Sequence, residues 1–216
     1  MITLYNYFRS SASYRVRIAL ALKGLSYEYI PVHLTRGGGE QFNAAYRELN
    51  ADALTPTFVG EEGQLLTQSL AIVEYLDETH RDPPLLPASA IDRAYVRSLA
   101  LQVACEMHPL NNLRVLAYLK QTLEVSDEQK SAWYRHWIDL GFSSLEKKLS
   151  SDKRTGPFCF GDTPTLADLC LVPQVFNAQR MGVPLDSYPT IVRITSHAST
   201  FDAFNKAEPV AQIDAA

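Results

Sequence analysis

The spacing of hydrophobic and polar positions changes character part-way along the chain. Near the start, Ile2-Thr3-Leu4-Tyr5-Asn6-Tyr7 is rich in β-branched and aromatic residues and reads as a first strand. Residues 9–20 then open a helix in which Val16, Ala19 and Leu20 recur at i, i+3 and i+4. Gly24 is placed to end that helix, and Tyr27 to Val32 reads as a second strand. Gly37-Gly38-Gly39 interrupts the pattern, and Gln41 to Leu49 makes a short helix. Thr57-Phe58-Val59 and Leu65-Leu66-Thr67 are short strands about a Glu62-Gly63 turn. A helix over 69–78 follows, with Ile72, Val73 and Leu76 on one face. The order is β-α-β-α-β-β-α. Its last two strands are joined too tightly to be parallel, which predicts a mixed four-stranded sheet with helices packed on it.

Beyond that point strand signals almost vanish. Pro83-Pro84 and Pro87 stiffen the stretch 82–90, which reads as a linker between a first domain, 1–81, and a second, 91–216. Helical patterns run over about 92–121, 126–150, 165–181 and 189–204. Thr165-Leu166-Ala167-Asp168 offers a capping-box start with Asp in place of Glu, so Asp168 reads as a buttress of its helix. The expected fold class is α/β plus all-α: a mixed sheet domain, then a helical bundle.

Composition narrows the function. The chain has 216 residues, 46% hydrophobic and 20% charged, as in a soluble globular protein with one large domain or two small ones. A net charge of −4 argues against general nucleic-acid binding, which needs a basic face. No apolar run reaches the length of a membrane span, and Met1 leads into a strand without a signal-peptide pattern. Cys105, Cys159 and Cys170 are odd in number and widely spaced, which supports neither a disulfide framework nor a zinc site and points to a reducing cytoplasm.

The chemistry concentrates where the first strand turns into the first helix. Ser10, Ser11 and Ser13 lie there between Arg9 and Arg15. A hydroxyl at a helix start either caps an orphan N–H or donates to an anion held at the positive end of the dipole. A single serine reads as a cap; three between two arginines shift the balance toward an anion or thiolate site. The glycine triplet is followed by Glu40-Gln41 and lacks the Lys-Ser/Thr of a phosphate loop. Trp133 and Trp137 share a helical face and read as core or interface.

Four segments, in order along nearly the whole chain, resemble the zeta class of glutathione transferases, and a fifth resembles its bacterial branch. Ser10-Ser11-Ala12-Ser13-Tyr14-Arg15-Val16-Arg17-Ile18 resembles that class's signature, Ser-Ser-Cys-Ser-(aromatic)-Arg-Val-Arg-Ile. Thr55-Pro56-Thr57 matches the segment carrying the cis-proline of a thioredoxin-like fold, and Gln68-Ser69-Leu70-Ala71-Ile72 the start of the glutathione-binding helix. Residues 167–174 resemble the class's C-terminal motif, and His108-Pro109-Leu110-Asn111-Asn112-Leu113-Arg114 its bacterial branch. Ala12 departs from the pattern, standing where many members carry cysteine.

The resemblance implies a thioredoxin-like N-terminal domain, glutathione as cofactor, a homodimer with the site beside its interface, and cis–trans isomerisation of a small dicarboxylate. That makes the thiol glutathione's own, so Ala12 does not remove it. It also implies site residues. Ser11, with Ser10 next, faces the thiolate, within a cofactor-binding run of Ser10, Ser11, Ala12, Ser13, Tyr14 and Arg15. Gln68 and Ser69 hold the γ-glutamyl carboxylate, Thr55 the tripeptide backbone and Gln41 the glycyl end. His108, Asn112, Leu113 and Arg114 are further cofactor contacts. Arg9, Arg114 and Arg180 are the expected receptors of substrate carboxylates, since a guanidinium fork matches a carboxylate in two-bond geometry, and Arg9 joins Ser10 and Ser11 as catalytic. The resemblance implies maleylacetoacetate as the substrate, converted to fumarylacetoacetate, with maleylpyruvate as the alternative. A general conjugating or peroxidase enzyme on the same fold, and a non-catalytic glutathione-binding protein, remain alternatives, because fold does not fix function.

Overall fold

β1 (Ile2–Asn6) is the strand about which the first part of the chain is assembled. The structure is a computed structural model, and it describes residues 1–215. β1 runs parallel to β2 (Tyr27–Pro31), with Leu4 opposite Tyr29, and antiparallel to β3 (Thr57–Val59), with Leu4 opposite Phe58. β3 pairs antiparallel with β4 (Leu65–Thr67), giving the sheet order β2-β1-β3-β4. Ile2, Leu4 and Phe58 are buried, each contributing roughly 1.5–3 kcal/mol by leaving water.

Two helices pack in this unit beside a short one, α2 (Ala44–Leu49). α1 (Ser11–Leu22) is buried along its first ten residues, an all-round burial that its mixed sequence does not advertise. α3 (Ser69–Thr79) buries Ile72, Val73 and Leu76, the face read from the sequence. Lys23, just past α1, ties the two helices: its ammonium pairs with Asp77 at 2.7 Å and donates to the carbonyls of His80 and Pro83.

The chain divides into two compact units, residues 1–85 together with the chain from Ser199 onward, and Leu86–Ala198. The sequence reading ran the second domain from 91 to 216; the segment after 198 belongs with the first unit instead. There α9 (Asp202–Ala207) lies on α1, with the carbonyls of Phe204 and Ala207 accepting from Tyr14 Oη and Arg17 Nε. The last residue lies outside those described. Burial pulls the Arg17 pKa down and pushes the Tyr14 pKa up, so these two partners are buried links rather than surface charges.

The second unit is helical: α4 (Ala90–Leu101), α5 (Leu113–Gln121), α6 (Asp127–Ser151), α7 (Leu166–Arg180) and α8 (Pro189–Ala198). The helix expected over 92–121 is broken. α4 passes into a π-helical stretch, Gln102–Met107, and α5 restarts at Leu113 under an Asn112 cap. Pro109 has no N–H to continue the ladder between them. Gly141 of α6 admits this stretch closely, since a Cβ there would sit 2.1 Å from Met107 Sδ. The helix expected over 189–204 also breaks, into α8 and α9.

α7 begins in the capping box read from the sequence. Asp168, wholly buried, accepts from the N–H of Cys159 and from both the N–H and hydroxyl of Thr165, each at 2.8 Å. Burial pushes its carboxyl above the usual range against the pull of these donors. Among the described residues no helix is long and apolar enough to cross a membrane.

Candidate functional site

In the first unit, the β1–α1 loop and the start of α1 hold the serine cluster. Ser10 is the N-cap, and its Oγ accepts from Ser13 N at 3.2 Å, leaving its own hydrogen free to donate elsewhere. Ser11 follows as the first helical residue, buried like Ala12. Ser13 Oγ is buried and has no hydrogen-bond partner among the described residues. Arg9 is exposed, its guanidinium 4.8 Å from the centre of the Phe8 ring. No carboxylate pairs with it among the described residues.

The start of α3 has the features of an anion site. Gln68 precedes it in a positive-φ conformation (φ 68°, ψ 111°), which costs a non-glycine residue about 1–3 kcal/mol and clusters at ligand clamps. Its side chain caps nothing, and the first turn carries no acid, so the orphan N–H groups keep their positive end open. Arg15 reaches this end from α1: its Nη1 donates to Ser69 Oγ at 3.2 Å. The residue is 2% exposed, and its Nε and Nη2 find no partner among the described residues. A buried guanidinium so placed is suited to a carboxylate.

Two loops add polar atoms of the same kind. Thr55 precedes Pro56 across a cis peptide, just ahead of β3, and its Oγ1 is buried without a partner. Gln41 follows the glycine loop. Its Nε2 donates to the carbonyl of Leu34 at 3.3 Å, while Oε1 is buried and unpaired. Gly39 makes room for it, because a Cβ there would lie 2.6 Å from Gln41 Nε2 and the backbone sits at φ 111°. Tyr14 has a different employment, donating its hydroxyl to Phe204 O.

The remaining sequence-derived residues lie in the second unit. His108 is half-buried at the end of the π-helical stretch. Asn112 caps α5 through Arg114 N at 3.1 Å, which leaves Leu113 and Arg114 exposed in its first turn. Arg180 is exposed in the last turn of α7. Burial pushes the Tyr134 hydroxyl up to about 12, against the pull of the Arg180 charge.

Two residues in the quoted motifs received no role from sequence and carry unpaired polar atoms. Asn111 donates to Tyr134 O at 3.1 Å, yet its Oδ1 is buried without a partner. Gln174, 1% exposed on α7, has no partner for either amide atom. Nothing local distinguishes them from ordinary helix residues, and position in the motif is the one signal. Trp133 and Trp137 pack edge to face at 5.5 Å, and Trp133 Nε1 donates to Leu110 O.

Comparison with known proteins agrees with this geometry. Residues 1–78 match the glutathione S-transferase N-terminal domain family. A protein of Vibrio cholerae named probable maleylacetoacetate isomerase is 49% identical over 99% of this chain and 98% of its own length. A solved maleylpyruvate isomerase, a bacterial glutathione S-transferase of the zeta class, superposes with a TM-score of 0.95 at 45% identity, over 99% of this chain and all of the other. The maleylacetoacetate isomerase of Methylobacterium extorquens, solved with malonate and glutathione bound, gives a TM-score of 0.95 at 38% identity over 99% of both chains.

Proposed function

Because the chain belongs to the zeta class of the glutathione transferases, we propose that it is a glutathione-dependent cis–trans isomerase that converts maleylacetoacetate to fumarylacetoacetate. One observation carries the fit to glutathione. Ser13, Arg15, Gln41 and Thr55, all matched to tripeptide contacts, each hold a buried polar atom that the protein leaves unpaired. Buried polar atoms are normally paired, so four residues with such atoms in matched positions ask for a polar ligand.

Bound glutathione would supply a thiolate whose reversible conjugate addition turns a carbon–carbon double bond into one that rotates. The chain's own residues do the rest. Arg15, Ser69 and the open N–H groups of α3 receive the γ-glutamyl carboxylate, with Gln68 held in its positive-φ turn beside them. Thr55 aligns the peptide backbone and Gln41 the glycyl end. Ser11, seconded by Ser10, donates to the sulfur, and the positive end of α1 favours its ionised form. His108, Asn112, Leu113 and Arg114 are further cofactor contacts. Arg9, Arg114 and Arg180 receive the carboxylates of the dianionic substrate. A homodimer and a cytoplasmic location belong to the same reading. Exposed Ile91 and Leu101 on α4 support the first, and three free cysteines the second.

Maleylpyruvate is the second substrate to test, favoured by the close superposition on a maleylpyruvate isomerase. Ultraviolet absorbance of maleylacetone and of maleylpyruvate, each with and without glutathione, decides. Isomerisation of either only when glutathione is present supports the proposal. Two inert substrates, with glutathione conjugated to electrophiles instead, would overturn it.

A further inference from the structure

The loop between β1 and α1 carries Arg9 and Ser10, and the start of α1 holds its Ser10 end, where Ser10 O accepts from Tyr14 N at 2.9 Å and Ser10 Oγ from Ser13 N at 3.2 Å. Within the loop, Ser10 N donates to Tyr7 O at 3.0 Å. Further ties meet at Phe8. The carbonyl of Phe8 accepts from Arg17 Nη2 at 2.9 Å. Its N–H donates to Asp214 Oδ2 at 3.2 Å, a contact spanning 206 positions of sequence. The other oxygen of Asp214 accepts from the Tyr29 hydroxyl on β2, which anchors the carboxylate to the sheet. The segment bearing Asp214 is itself fixed, since Gln212 Nε2 donates to the carbonyls of Glu208 and Lys206 at 2.7 and 2.9 Å.

Phe8 in turn supports Arg9, whose guanidinium lies 4.8 Å from its ring centre. We infer that Asp214 is a positioning residue for the reaction: it fixes Phe8, and through Phe8 it fixes where Arg9 presents its charge. The inference rests on the reading of Arg9 as a receptor of the substrate's carboxylate. A bidentate contact tolerates little misplacement, so a loop free to shift by an ångström loses most of its benefit. The competing role is purely structural: Asp214 is also one of the groups near the buried Arg17 guanidinium.

The two roles separate in a double-mutant cycle joined to amide exchange. In Asp214→Ala, exchange at the Phe8 amide rises about tenfold or more while the Leu4 amide within β1 stays protected. Catalytic efficiency on maleylpyruvate or maleylacetone falls about fivefold with the glutathione Kd unchanged. Asp214→Asn keeps an acceptor for Phe8 N–H and retains most of the activity. In the Arg9→Ala background Asp214→Ala costs nothing further, because the group it positions is gone. A Phe8 amide still protected in Asp214→Ala overturns the inference, as does a loss that recurs in full beside Arg9→Ala. Wild-type protein inert toward both substrates would instead mark failure of the isomerase reading, distinct from the amide result, which reads the contact directly.

Discussion

Arg15 is a charge that the fold buries before it has a counter-charge. Removing an unpaired guanidinium from water costs several kcal/mol, and a residue of similar volume without charge often stabilises such a position by about 1–4 kcal/mol. Arg15→Met should therefore raise, or at least not lower, the melting temperature of the ligand-free protein, while weakening glutathione binding by about tenfold or more. A methionine variant that binds glutathione like wild type would show that the guanidinium serves the fold alone. Ser11 makes a sharper contrast with its neighbour. Ser11→Ala should cost roughly 1.5–3 kcal/mol in kcat/KM, the worth of a hydrogen bond to a charged group, whereas Ala12→Cys should stay within a small factor. For the dianion, Arg9→Ala and Arg180→Ala should each lower kcat/KM about tenfold with the glutathione Kd held, and lysine should restore only part, having no planar fork. Normal turnover in both alanine variants would remove the arginines from the substrate site.

At the scale of the element, the glycine loop and the α7 cap are the parts most open to test. Gly39→Ala puts a methyl on Gln41 and an L-residue at φ 111°, so Gln41 must move. Glutathione affinity should fall while the free energy of urea unfolding drops by only about 1–3 kcal/mol of strain; unchanged affinity would separate Gln41 from the cofactor. Asp168→Asn replaces one of two acceptors with an NH2 facing an N–H of Cys159 or Thr165. Leaving one buried donor unsatisfied should cost about 1–3 kcal/mol in urea unfolding at an unchanged slope. This cap was readable in Thr165-Leu166-Ala167-Asp168, as was the antiparallel pairing of β3 with β4, because both are set by local pattern. The break between α4 and α5 was not. Apolar spacing continues through it, and what stops the helix is a proline whose effect depends on the π-helical stretch before it.

At the scale of the whole molecule, the clearest gap between sequence and structure is the segment after Ser199. Its amphipathic spacing reads as a continuation of the bundle, yet the carbonyls of Phe204 and Ala207 go to Tyr14 and Arg17, nearly two hundred positions back. No short-range pattern encodes such a partner, so neither the return of the chain nor Asp214 was visible in advance. The serine–arginine cluster was visible, because hydroxyls and guanidinium groups at a strand-to-helix turn have chemistry before they have neighbours. What the sequence did not show was which end of the tripeptide Arg15 serves, which its burial beside Ser69 points to. The proposed homodimer predicts a mass by sedimentation equilibrium of about twice the 24.1 kDa of the chain at micromolar concentration, and a monomer alone would contradict it. The central claim is that glutathione is a catalyst returned after every turnover. Its most direct test is to follow maleylacetone or maleylpyruvate with glutathione well below the substrate concentration and to assay free thiol at the end. The account predicts many turnovers per glutathione with the thiol fully recovered. One glutathione lost for each product formed would contradict it.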